Sequence, residues 1–208
     1  MVRFKTLVLS VLIGSTSLLL AQVEKAGVTV TPGITLPSSG TVFTVGTKDG
    51  KPDLVQLHAS EVTLNSHAGS NFARSQFFAG PRSTMELKGP SSAATLHTQQ
   101  PVLYVRLYGD DLELLRNRVQ LVRIYPEKDH RVVLAFSMNL WGGQRKRIAD
   151  DLAASKSDTA DPNWLKLTPE SVLEPGEYGV VFMPKDVNQG PEVVYDFSVA
   201  GDQKAPKK

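Results

Sequence analysis

The chain has 208 residues, 41% of them apolar, 7% aromatic and 21% charged, with no cysteine and a formal net charge of +2. That composition belongs to a folded globular protein rather than a disordered chain. The missing cysteine excludes a disulfide scaffold, a zinc-thiolate site, an iron–sulfur protein and an acylated lipoprotein.

Arg3 and Lys5 open the chain, Thr6–Leu20 follows without a charge, and the small residue Ala21 precedes polar Gln22. The pattern predicts a cleaved secretory signal over residues 1–21, because the apolar run falls short of the about 20 residues of a membrane span. Cleavage is expected after Ala21. Leu19 is bulky for the position it would hold, so Ala26 is the second choice, and an uncleaved anchor is the remaining alternative. The expected destination is the periplasm or the outside of the cell, with no transmembrane helix in the mature chain. Losing residues 1–21 removes Arg3 and Lys5 and leaves 21 basic against 21 acidic residues. A neutral mature chain lacks the basic excess with which nucleic-acid binders neutralise phosphates.

Residues 22–40 are rich in Gly, Pro, Ser and Thr and read as a flexible leader, with one edge strand at Val28–Thr31. Thr41–Val45 is a strand, Lys48–Pro52 turns the chain into a second over Asp53–His58, and Glu61–Leu64 extends that hairpin. Arg82–Lys88 alternates Met85 and Leu87 against Thr84, Glu86 and Lys88, a strand with one wet face. Val102–Tyr108 is the next strand. Asp111–Arg118 fits either a short helix or an early strand start, and the strand start is preferred. Val119–Tyr125 and Arg131–Ser137 form a hairpin across the turn-prone Pro126–His130, with Arg123 and Arg131 expected to face solvent.

Trp141-Gly142-Gly143 is a turn. Gln144–Ser155 suits a short surface helix, with Ile148 and Leu152 four apart, although its basic residues precede its acidic ones. Lys156–Asn163 reads as loop. Pro175-Gly176 turns into a strand over Glu177–Met183, Glu192–Val199 is the last strand, and 201–208 is a disordered tail. About nine strands with almost no helix predict an all-β antiparallel β-sandwich, immunoglobulin-like in general architecture, as a single domain over 41–200.

Gly80-Pro81-Arg82-Ser83, then Thr98 and Pro101–Val105, Leu114-Leu115, Trp141-Gly142-Gly143 and Leu173–Gly179, taken in that order, resemble a class of exported bacterial β-sandwich proteins of no assigned activity. The resemblance covers roughly residues 40–185. Its closing stretch, Leu173–Val180, is common in β-sandwich domains, where Pro-Gly makes the turn and the Tyr pins the next strand. The resemblance implies the fold and export, and brings no catalytic residue.

His58, His67, His97 and His130 show no metal-binding spacing, and no cofactor motif occurs. No G-x-S-x-G or S-x-x-K marks an activated serine; Ser70 and Ser83 read as loop hydrogen-bonders. Asp110-Asp111 and Asp150-Asp151 are adjacent pairs whose side chains diverge on a strand. Phe72, Arg74, Phe77 and Phe78 fall within Asn65–Gly80 and read as anchors of a loop. The candidate binding patch is Trp141, Gln144, Arg145 and Arg147 with Trp164, residue types enriched at interfaces and sugar-stacking platforms. These readings favour a non-enzymatic exported binding module with an unidentified protein or glycan partner. A hydrolase acting on an extracytoplasmic polymer is the alternative.

Overall fold

The computed structural model describes residues 27–65, 82–137 and 146–201. In chain order these form β1 (Thr29–Thr31), β2 (Ile34–Thr35), β3 (Val42–Lys48), β4 (Lys51–Leu57), β5 (Ala59–Glu61) and β6 (Thr63–Asn65). β7 (Arg82–Lys88), β8 (Thr95–Leu96) and β9 (Leu103–Arg106) follow, then the helix α1 (Leu112–Arg118), β10 (Val119–Pro126) and β11 (His130–Ser137). The chain ends with β12 (Lys146–Ala149), β13 (Asp151–Leu152), β14 (Ala154–Asp158), β15 (Trp164–Pro169), β16 (Gly176–Phe182) and β17 (Val193–Val199). The fold is all-β, built from mostly antiparallel sheets packed together, with one short helix among the described residues.

A five-stranded sheet runs β14-β15-β9-β3-β4, and the larger sheet runs β5-β17-β16-β10-β11-β7-β6. β5 and β6 are separated by Val62 alone, yet β5 pairs with β17 at one margin and β6 with β7 at the other. The larger sheet therefore closes on itself as a small barrel, with the 59–65 segment as its shared stave. Met85, Leu87, Val122, Ile124, Leu134, Phe136, Val181 and Val194 fill its interior. Alternate residues of the same strands point the other way. Val119 and Leu121 of β10, Tyr178 and Val180 of β16, and Phe197 and Val199 of β17 meet Val42, Leu57, Leu103, Val105, Leu165 and Leu167 of the five-stranded sheet. Strands shared by two cores must carry apolar residues on both faces, which explains the consecutive buried pairs Leu121-Val122 in β10 and Val180-Val181 in β16. Gly179 belongs to this crowding: a Cβ there would lie 2.3 Å from Val194 Cγ1.

Several expectations change. Asp111–Arg118 is a helix rather than a strand start. The Asp111 carboxylate accepts the Leu114 N–H at 2.9 Å, Glu113 sits in the first turn and Arg116 and Arg118 in the last, all favourable to the helix ends. Leu112 and Leu115 pack on the core.

The expected helix over Gln144–Ser155 is, from Lys146 on, strand. β10 and β11 pair only at Tyr125–Val132 and Pro126–Arg131 and then diverge. β12 pairs with β11 and β13 with β10, so the segment fills the wedge between them. Free backbone edges on both sides outweigh a weak, badly ordered helix signal. Beyond it, part of the expected loop 156–163 is β14, and β15 is a strand that the sequence reading leaves unassigned. In the expected leader, the strand expected at Val28–Thr31 is present as β1, and it pairs with β2 in a hairpin whose flanking Val28 and Leu36 are buried with Phe43, Tyr104 and Trp164.

The Asp49-Gly50 turn between β3 and β4 holds both residues at positive φ (51° and 75°), the conformation that a two-residue hairpin turn requires. The Tyr178 hydroxyl donates to the Glu174 carbonyl at 2.6 Å, which pins β16 to the turn before it.

Candidate functional site

The buried charged groups among the described residues, Arg131, Glu177 and Asp196, form one cluster inside the barrel. Arg131, expected in solvent, is 3% exposed. Its Nη1 donates to Asp196 Oδ2 at 2.5 Å and to Glu177 Oε2 at 3.3 Å. Nε and Nη2 donate to the carbonyls of Gly89 (3.2 Å) and Lys88 (3.4 Å). The Ser60 hydroxyl donates to Asp196 Oδ1 at 2.5 Å, and the Ser92 N–H to Glu177 Oε2 at 2.9 Å.

The strand period builds this cluster. Asp196 shares the interior face of β17 with Val194, and Glu177 shares that of β16 with Val181. Arg131 enters from the start of β11, where a bulge near Val133 resets the alternation. A buried carboxylate is tolerated only when paired and hydrogen-bonded, and here each one is. Three nitrogens of the guanidinium already donate, and both acids are nearly sealed from water. The cluster thus joins the β11 side of the barrel to the β16–β17 side.

The residues proposed from sequence fare differently. Trp141, Gln144 and Arg145 lie outside the described residues, as do His67, Ser70, Phe72, Arg74, Phe77 and Phe78. Trp164 is 4% exposed and packs edge-on against Phe43, with ring centroids 5.9 Å apart. It is a core residue of the five-stranded sheet and forms no surface patch. Arg147 anchors a loop: its Nη1 donates to the carbonyls of Gln189 (2.7 Å), Pro184 (3.3 Å) and Asp186 (3.3 Å). Trp164 and Arg147 stand on different sheets with different neighbours. Ser83 is not in a loop but buried in β7.

Among the described residues, no group of three His, Cys, Asp or Glu side chains could hold a metal ion. His130 pairs with Asp129 (2.8 Å) and approaches Glu86 (3.6 Å). Of the adjacent acid pairs, Asp111 caps α1, and Asp150 accepts from the Tyr125 hydroxyl while its carbonyl accepts the Arg123 N–H. Burial, reinforced by the bond to Asp150, pushes the Tyr125 phenol up to about 12. A tyrosine whose folded value lies above its unfolded value near 10 stabilises the fold fully below pH 10, and loses that contribution as pH rises from about 10 through 12. In thermal melts, the margin of the native chain over Tyr125→Phe should be constant below pH 10 and shrink above it. A margin independent of pH across that window would show that neither burial nor the Asp150 bond raises the Tyr125 phenol in the folded chain.

The sequence reading missed one external feature. The Arg106 guanidinium lies 5.0 Å from the Tyr108 ring centroid and 5.7 Å from that of Trp164, and donates to the Ser38 carbonyl. Tyr108 is 54% exposed, with its hydroxyl donating to the Gly40 carbonyl at 2.7 Å. An Arg-x-Tyr at the end of a strand is the available signal for it. Among the described residues, no helix is long and apolar enough to cross a membrane. The chain matches no protein-family model, no curated protein and no solved structure.

Proposed function

We propose that the protein is an exported, non-enzymatic β-protein that binds a protein or glycan partner at the cell envelope or outside the cell. The observation that carries this reading is the Arg131 cluster. The best-assembled carboxylate pair of the described residues, Glu177 and Asp196, is closed around a guanidinium inside the barrel, where it works for the fold. The basic and then apolar start of the chain supports export. For the contact itself we favour Tyr108, an exposed ring held in place by Arg106 and by its own hydroxyl bond. Rigid aromatics of this kind bind at little entropic cost. Trp141, Gln144 and Arg145 remain candidates on residue type alone.

Intact mass of the protein recovered from its native host should show loss of residues 1–21, or else 1–26. Recovery of the full chain in the cytoplasm would sink the export reading. Retention on purified envelope material should fall for Tyr108→Ala while the melting temperature stays within a few degrees, since an exposed hydrogen bond and cation contact together contribute only about 1–2 kcal/mol. Undiminished retention would remove Tyr108 from the contact.

A further inference from the structure

We propose that two copies of the chain associate through β14, joining their five-stranded sheets into one continuous sheet. β14 is a margin of that sheet. It pairs with β15 over Ala154–Asp158, and among the described residues no strand pairs with its other side. Its residues after Ala154 are all exposed. A strand margin presents unpaired N–H and C=O groups to any extended segment of matching register. At the opposite margin β4 carries Pro52, which has no N–H to offer. β14 has no proline and no bulge within its pairing with β15.

Charge selects both the occupant and the register. A twofold axis through Ser157 sets Lys156 opposite Asp158 of the second copy and Asp158 opposite its Lys156, with serine facing serine at the centre. An axis through Lys156 would oppose lysine to lysine. Directly opposed unlike charges stabilise an antiparallel pair and like charges oppose it, so the sequence Ser-Lys-Ser-Asp is complementary to itself in one register. Both charged groups have capacity left. Lys156 uses one of its donors on the Arg116 carbonyl at 2.8 Å. Asp158 places Oδ1 2.7 Å from Arg116 Nη2 while its side chain stays 70% exposed. Ser155 and Ser157 project from the other face and are too small to obstruct a second strand.

The test is sedimentation equilibrium of the purified chain over a wide concentration range, alongside Lys156→Asp and Asp158→Lys. The native chain should show a reversible monomer–dimer equilibrium. Each single variant turns two attractive cross-strand pairs into repulsive ones and should weaken dimerisation roughly tenfold. An equimolar mixture of the two variants restores unlike charges across the axis and should dimerise again. A native chain that stays monomeric at the highest concentration, variants that dimerise as it does, or a mixture that stays monomeric would each overturn the proposal. Asp158→Lys also removes a partner of Arg116, so amide exchange of the native chain provides a measurement free of substitutions. Protection at Ser155–Asp158 should rise with concentration, and a rise confined to other strands would count against this interface.

Discussion

Replacing Arg131 with methionine is expected to lower folding stability by about 3–5 kcal/mol, because the change leaves two carboxylates buried in the barrel without their cation. Neither acid can turn to water: Glu177 and Asp196 are 8% and 5% exposed. Ser60 and the Ser92 N–H provide one hydrogen bond each, too little to replace the guanidinium. Carrying Glu177→Gln and Asp196→Asn in the same chain removes the unpaired charge and should restore a large part of the loss. Urea denaturation of the four chains, native, Arg131→Met, double and triple, measures both steps. A single-variant loss below about 1 kcal/mol would show that the interior charges are screened by water that reaches them, and would reopen the cluster as an accessible site.

Trp164→Ala is expected to cost about 3–5 kcal/mol through lost burial and the cavity left behind. The indole fills the outer face of the five-stranded sheet between Phe43, Tyr104 and the hairpin residues Val28 and Leu36. For a chain of this size the loss corresponds to a fall of roughly 10 °C in melting temperature. Trp164→Phe keeps an aromatic body against Phe43 and should recover part of it. Because Arg106 rests on the same ring, Trp164→Ala should also loosen Tyr108, read as faster proteolysis near the chain's 38–40 segment. A melting temperature unchanged by the alanine variant would return Trp164 to the surface, where the sequence alone had placed it.

The elements read correctly from sequence were those whose evidence is local. Met85 and Leu87 alternate with polar neighbours, Pro126–His130 separates two β-branched runs, and Asp-Gly fits the turn at 49–50. Each is decided within a few residues. What escaped depends on distant partners. Arg131 stands beside a wet loop in the sequence, and its burial follows from acids 46 and 65 positions later. Lys146–Leu152 has weak preferences of its own and takes its conformation from the wedge between β10 and β11. Of the candidate patch, Trp164 and Arg147 share residue types with interface hot spots, but residue type carries no information about whether an indole or a guanidinium is already satisfied internally.

The stave at Ala59–Glu61 finds its partner in Val193–Tyr195. A chain synthesised or translocated from its N-terminus therefore cannot close its barrel until its last strand is available. Val42 and Leu57 likewise wait for Phe197 to complete their core. Folding of this topology is governed by loop closure over most of the chain and is expected to be slow. Removing residues 193–201 should therefore abolish folding of the whole molecule rather than shorten it by one strand.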